Sequence, residues 1–405
     1  MSSNNSTTTM HPVAGAYLGT TAAKIKKNGN PDLVVIELAE GSRTAATFTL
    51  NAFCAAPVTL AKTHLAAQSP RALIINAGNA NAGTGEQGMQ DAKATCDLVA
   101  KELGCTSEQV LPFSTGVIGE NLPMDKFATG IPDAMASLSI DGWQAASKGI
   151  MTTDLVAKTS SRVIDINGSK VTLTAMAKGS GMIHPNMATM LGFMVTDAKI
   201  SQTCLQKALS DAVNVSFNRI TVDGDTSTND ACTLSATQQA EMHEITDVNT
   251  LDYHVFAEAV TEMLTELAQM IVRDGEGATK FVSVIVEEAK SQEEALKVAH
   301  AVALSPLVKT ALFASDPNWG RILAAVGRAG VEDLDINALE IHLGDVCIVR
   351  NGGRAEDYTE AQGQTVMDKQ DIDITIWLNR GPVNETVWTT DFSYDYVKIN
   401  AEYRS

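Results

Sequence analysis

A layered, mixed α/β sandwich is the fold class this sequence predicts, on three observations. Strand-like apolar runs recur along all 405 residues, helix-period segments fall between them, and the two do not alternate strictly as βαβ. Strict alternation would point to a doubly wound sheet or a barrel, whereas intermixing favours packed layers. Single cores stop growing at roughly 250–300 residues, so two or more lobes are expected.

The run Leu33–Leu38 and the stretch 46–50 read as strands. So does 71–75, which runs into the Gly/Asn-rich string NAGNANAGTG at 76–85; a helix over about 86–103 then follows, with Gly104 at the position of a C′ glycine. Residues 161–179 alternate on both sides of Asn167-Gly168, the dipeptide best suited to a two-residue hairpin turn. The second strand of that hairpin feeds Gly179-Ser180-Gly181, where glycines permit backbone angles other residues resist. Beyond Thr189, the run LGFMVT and RITV at 219–222 read as strand-like, with a helix over Gln202–Val215. A longer helix is predicted over 254–271, a strand in KFVSVIVEEA, a helix over Gln292–Ala303, and strands over 336–349 and 372–378.

Apolar residues make up 44% and charged residues 19%, the composition of a globular chain with ample core material. The formal net charge of −18 opposes nucleic acid and anionic membranes, both of which call for a basic footprint. The opening MSSNNSTTTM has no basic n-region and no apolar h-region, and no run of about 18 apolar residues occurs, so a cytoplasmic protein is expected. Cys54, Cys96, Cys105, Cys204, Cys232 and Cys347 are scattered, with no CxxC pair and no histidine at ligand spacing; they read as buried thiols, and no metal site is expected.

Chemistry concentrates in KGSGMIHPNMATMLGFM, residues 178–194, where Thr189 follows Ala188 between a turn-rich stretch and an apolar strand. By composition alone this is a loop entering a buried strand. The chemical alternative is an N-terminal nucleophile, with the chain broken between Ala188 and Thr189. A threonine hydroxyl is a weak nucleophile without a base, and the liberated α-amine, with an ordinary pKa of about 7.7–8.0, can serve as that base.

The string KGSGMIHPNMATML, with MTTD at 151–154, STGVIGE at 114–120, FNRITVDGDTSTND at 217–230, SDPNWGRI at 315–322 and the terminal YVKINAEYRS, resembles the ornithine acetyltransferase family of arginine biosynthesis over nearly the whole chain. The resemblance implies the following: a precursor that cuts itself into an α chain, 1–188, and a β chain, 189–405, with a C-terminal lobe from about 285, and an α2β2 heterotetramer of two cleaved precursors. Thr189 is then the nucleophile, taking acetyl from N2-acetylornithine and passing it to glutamate. Thr115 and Gly116 match the family's oxyanion pair through a hydroxyl and a backbone N–H. Thr152, Lys178, Thr189, Glu276, Asn400 and Ser405 match its substrate-contacting positions. No cofactor is implied. Acetyl-CoA is a second donor in some family members, and no residue here decides that point.

Each of these positions has a plainer reading: a Thr-Gly turn for Thr115 and Gly116, solvated charges for Lys178 and Glu276, a frayed end for Asn400 and Ser405. His184, five residues before Thr189, invites a hydroxyl–imidazole pair, but the α-amine already supplies the base. Asp223, Asp225 and Asp230 suggest a cation loop only loosely, lacking the spacing and terminal glutamate of one. The string 76–85 lacks a GKS or GKT end and a full GxGxxG, so nucleotide binding is not expected. The rival classes are a monofunctional enzyme without acetyl-CoA activity, a related N-terminal-nucleophile amidohydrolase or aminopeptidase, and an amino-acid sensor retaining the fold. A sensor would have lost Thr189 or the oxyanion donors.

Overall fold

The computed structural model describes residues 9–184 and 190–402, and the chain divides into two compact units. The first takes residues up to Gly179, then Asn186–Asn218 and Asp225–Ile271; the second takes Ser180–Pro185, Arg219–Gly224 and everything from Val272 onward.

The first unit holds two sheets. One has four strands in the order Ala16–Thr21, Leu33–Leu38, Ala72–Asn79, Val110–Val117, antiparallel except for the parallel last pair. The other has five, in the order Arg43–Phe48, Ala231–Ala236, Leu191–Thr196, Ser169–Lys178, Lys158–Ile166. Val34, Ile36, Leu73, Ile75 and Phe113 of the first pack with Met176, Leu191, Phe193 and Val195 of the second, so the two sheets share one core. The opposite face of the four-stranded sheet, through Leu33, Val35, Ile74 and Val110, is covered by helices Gly85–Leu103 and Met124–Ala136. Burial on both faces explains why Leu33–Leu38 is apolar at every position but Glu37 rather than alternating. Helix Gln202–Val215 packs against strands of the five-stranded sheet, giving helix, sheet, sheet and helix layers. This is the mixed α/β sandwich the sequence predicts.

The second unit is built on one mixed sheet of seven strands, in the order Gly353–Arg354, Val346–Arg350, Glu340–Leu343, Asp371–Trp377, Phe281–Ala289, Val383–Thr390, Ile220–Thr221. Val282, Val284, Val286, Ile374 and Ile376 form its core with Val298 and Val302 of helix Gln292–Ala303 and Val308 and Leu312 of helix Pro306–Phe313. Lys309 is buried in the same unit. Its Nζ donates to Thr389 Oγ1 at 2.8 Å and to the Thr390 carbonyl, and lies 4.7 Å from the Phe392 ring centre. Burial pushes this ammonium from its ordinary 10.5 down to about 7, with Asp391 and Asp223 acting in the opposite sense. Because the folded value lies below the unfolded one, unfolding takes up a proton between these two values, and stability rises with pH across that window. The wild type is expected to gain on Lys309→Met between roughly pH 7 and about pH 9, read as the difference in urea midpoint at each pH.

Most predicted elements appear with shifted ends. The helix predicted over 86–103 is Gly85–Leu103 with Gly104 left-handed at φ 71°, and the Asn167-Gly168 turn has both residues at positive φ, 52° and 84°. The strand predicted over 46–50 runs Arg43–Phe48, and the helix predicted over 254–271 runs Leu251–Arg273. RITV yields only the two-residue strand Ile220–Thr221. The single strand predicted over 336–349 is instead a short 3-10 turn and a hairpin, Glu340–Leu343 with Val346–Arg350, because Gly344 turns the chain at φ 51°. Among the described residues, no single helix is long and apolar enough to cross a membrane.

Candidate active site

In the first unit, Thr115 and Gly116 sit near the end of strand Val110–Val117, paired in parallel with Ala77 and Gly78. The ladder becomes irregular there, with Asn79 opposite both Thr115 and Val117. Gly116 has φ 134°, and a Cβ on it would lie 2.3 Å from the Gly78 carbonyl carbon. Glycine at 116 thus lets this strand meet the Gly78 backbone where any side chain would collide, and the strand is bent at the residue whose N–H is the candidate donor. Asn229 braces the bend, its Nδ2 donating to the carbonyls of Ala80 at 2.6 Å and Ser114 at 3.0 Å.

Lys178 ends strand Ser169–Lys178, is buried, and donates from Nζ to Thr115 Oγ1 at 3.3 Å. An ammonium on the hydroxyl oxygen polarises the O–H toward whatever that hydroxyl donates to. Thr152 belongs to the same constellation through Asp154, whose Oδ2 accepts from the Thr152 N–H at 2.9 Å. Asp154 Oδ1 accepts from Gly179 N at 2.7 Å and from Lys158 Nζ at 2.6 Å. Burial raises the Asp154 carboxyl, but Lys178, Lys158 and these hydrogen bonds outweigh that effect and hold it well below the usual carboxylate range.

In the second unit, Glu276 is buried, with its N–H donating to the Ser180 carbonyl at 3.0 Å. Asn400, on helix Tyr394–Ala401, donates from Nδ2 to Glu276 Oε2 at 2.8 Å. The Glu276 carboxylate lies against the Gly181 backbone so closely that a Cβ there would stand 2.3 Å from its Oε2. Gly277, at φ 69°, admits the start of that helix, since a Cβ on it would lie 2.5 Å from Ser393 Oγ and Tyr396 N.

The ArgJ family model matches residues 17–405, nearly the whole chain. The chain belongs to the ArgJ family. Relatives called arginine biosynthesis bifunctional protein ArgJ include that of Pseudomonas syringae pv. tomato, 55% identical over 396 residues and covering 98% of each chain. That of Methylococcus capsulatus is 57% identical over 394 residues, 97% of this chain and 96% of its own. A solved relative, the protein of that name from Bacillus halodurans, superposes with a TM-score of 0.50 at 39% identity, covering 53% of this chain and 99% of that chain.

On this ArgJ-family fold, Thr115, Gly116, Thr152 and Lys178 lie in the first unit, with Thr115, Thr152 and Lys178 linked through direct bonds or Asp154. Glu276 and Asn400 lie in the second and bond to each other. Ala188, Thr189 and Ser405 lie outside the described residues. Asp154 and Lys158 went unnoticed in the sequence, although Asp154 closes the MTTD motif. The contact of Gly181 with Glu276 was also missed; the GSG triplet was its only trace.

The over-readable features resolve structurally. Asp223 accepts from the Met182 and Ile183 amides at 2.6 and 2.9 Å, a turn-building role. His184 stacks edge-on against His300 at 5.8 Å, and burial, then His184 and Arg219, push His300 down to about 4. The amides of string 76–85 donate inward: Asn76 to Ser114 Oγ, Asn79 to the carbonyls of Glu120 and Asn121, Asn81 to that of Gly88.

The cysteine reading needs correction. All six are free thiols, but Cys54, Cys105 and Cys347 are only half-buried. Strand register also sets Cys347 opposite His342, and with Glu340 their ligand atoms lie within 4.8 Å of one another, a closeness that sequence spacing hides. Glu340 is already engaged there by His342 Nε2 at 2.6 Å and by Arg350 at 3.3 Å on both oxygens.

Proposed function

We propose that this chain is the glutamate N-acetyltransferase of arginine biosynthesis, moving acetyl from N2-acetylornithine to glutamate through an ester on Thr189, with acetyl-CoA as a second donor. The observation that carries it is the Lys178 ammonium on the Thr115 hydroxyl, beside a bend that only glycine at 116 can make. In this reading the Thr115 hydroxyl and the Gly116 N–H together stabilise the oxyanion.

In this reading Thr189 Oγ first attacks the Ala188 carbonyl, the peptide nitrogen leaves as the Thr189 α-amine, and water opens the resulting ester. Chains 1–188 and 189–405 result, the latter including a C-terminal lobe from about 285. Support comes from the Bacillus halodurans relative, whose solved chain corresponds to 53% of this one, close to the share that 189–405 represents. The α-amine then takes the proton of Thr189 Oγ as the oxygen attacks the acetyl carbonyl, and ornithine departs carrying that proton. Glutamate's α-amine attacks the acetyl ester, and Thr189 Oγ recovers its proton as N-acetylglutamate leaves. Thr115 and Gly116 hold each oxyanion. Lys178 and Thr152 receive the amino-acid carboxylate and acyl amide, Glu276 the distal ammonium of ornithine, with Asn400 orienting Glu276 and Ser405 closing the set. The cycle uses no cofactor or metal, and the cleaved precursors are assigned to a cytoplasmic α2β2 heterotetramer.

The test is to supply purified protein with glutamate and either acetylornithine or acetyl-CoA, following ornithine and N-acetylglutamate. An uncleaved chain without transfer overturns the proposal; acetate release independent of glutamate would make it an amidohydrolase; transfer from acetylornithine alone would remove only the second donor. Glu276→Gln is expected to raise the KM for acetylornithine roughly 10- to 150-fold, the equivalent of a charge-assisted hydrogen bond of about 1.5–3 kcal/mol. The KM for glutamate, which has no distal ammonium, should not rise with it.

A further inference from the structure

We propose that Asp154 is a positioning residue of the acetyl-transfer site, its single carboxylate locking the Thr152 amide, the Gly179 amide and two lysine ammoniums into one arrangement; this rests on the function proposed above. The side chains of Asp154 and Lys158 are both fully buried and meet at 2.6 Å. A buried ion pair is weak evidence of stabilisation, because desolvating two charges offsets their attraction and an apolar pair of similar volume often does as well. What distinguishes this pair is where the remaining bonding capacity of the carboxylate goes. Oδ1 also takes the Gly179 N–H at 2.7 Å, and Oδ2 takes the Thr152 N–H at 2.9 Å. These amides belong to the two segments that carry the candidate substrate residues Thr152 and Lys178.

The third link is electrostatic. The charges of Lys178 and Lys158 both favour the ionised Asp154 carboxylate, and Lys178 immediately precedes the Gly179 amide that Asp154 holds. Lys178 in turn touches Thr115 Oγ1 at 3.3 Å. Asp154 therefore acts on the oxyanion donor through Lys178 without itself facing substrate. The charged groups around it are Lys158 and Lys178 on neighbouring strands and Lys26 on the turn after strand Ala16–Thr21, the last with Asp32 beside it. Removing the Asp154 charge takes a buried carboxylate away from three ammoniums at once, so an ammonium needed for turnover is given up at lower pH.

The experiment compares wild type, Asp154→Asn, Asp154→Glu and the double variant Asp154→Leu/Lys158→Met. Intact mass counts cleaved chains, and acetyl transfer per cleaved chain is then measured across pH. Asp154→Asn is expected to lower kcat about 10²-fold, the scale of a 1 Å misplacement, and to move the alkaline limb of the profile to lower pH. Asp154→Glu, which keeps the charge, should leave that limb in place. The double variant removes both members of the ion pair together but leaves the Thr152 and Gly179 amides without their acceptor, so it should fold with a lowered urea midpoint while failing to recover turnover. If Asp154→Asn does not accumulate folded, the double variant answers alone. Wild-type kcat and alkaline limb in either variant would overturn the positioning role while leaving the proposed function intact. A wild type unable to transfer acetyl removes the function, and this role with it.

Discussion

Thr189→Ala is expected to remain one 42.9 kDa chain on a denaturing gel, where wild type resolves into two polypeptides. Acetyl transfer should fall with it by on the order of 10⁶-fold, the loss that follows deletion of a hydroxyl nucleophile acting as a unit with its base. One oxygen is asked to do two jobs, so one substitution abolishes both. Thr189→Ser separates them less sharply: it keeps the oxygen, and should cleave and transfer at reduced rates. The decisive control is a chain started at residue 189 and co-expressed with 1–188, so that the α-amine is produced without self-cleavage. With Thr189 in place this pair should transfer acetyl; carrying the Thr189→Ala substitution, it should not. Cleavage of the Thr189→Ala precursor, or wild-type transfer by it, would rule out the assigned nucleophile.

The sequence made parts of this protein legible and hid others for physical reasons. The helices predicted around Gln202–Val215 and over Gln292–Ala303 have those bounds, and in the structure each is opened by a serine, Ser201 or Ser291, whose hydroxyl accepts from the third helical amide. Strand Ala231–Ala236 left no signal: all six residues are buried, several are small, and without alternation nothing marks a strand. The strand predicted to stop at 75 continues to Asn79, although Gly78 usually breaks a strand, because its parallel ladder with Val110–Val117 runs on through Gly116, whose missing side chain admits the Gly78 backbone. Site residues followed the same division. Lys178, Glu276 and Asn400 were found through motifs shared with a family. Asp154 was overlooked because an aspartate four residues before a lysine reads as an ordinary surface pair, and only the fold shows both buried with two further amides attached.

Thr115→Ala should lower kcat by about 10²–10³-fold, or about 2.7–4 kcal/mol, the usual consequence of removing one oxyanion donor. The loss should fall on kcat rather than KM, because the hydroxyl is asked to bind charge that develops only in the transition state. Thr115→Ser keeps the donor and should stay close to wild type. Gly116→Ala should be more damaging although it removes no polar group. Its φ of 134° resists any side chain, and the new Cβ would lie 2.3 Å from the Gly78 carbonyl carbon and 2.6 Å from the Asn79 nitrogen. The bend must open, carrying the residue 116 N–H and the Thr115 hydroxyl away together. Self-cleavage passes through an oxyanion of the same kind, so it should slow in both variants, visible as precursor persisting on a time-course gel. Lys178 supplies the last discrimination: its ammonium sits 3.3 Å from Thr115 Oγ1, so Lys178→Met and Thr115→Ala should be strongly non-additive in kcat. Additive losses would mean that the lysine works on the substrate alone, and a Thr115→Ala enzyme with unchanged kcat would remove the hydroxyl from the oxyanion hole.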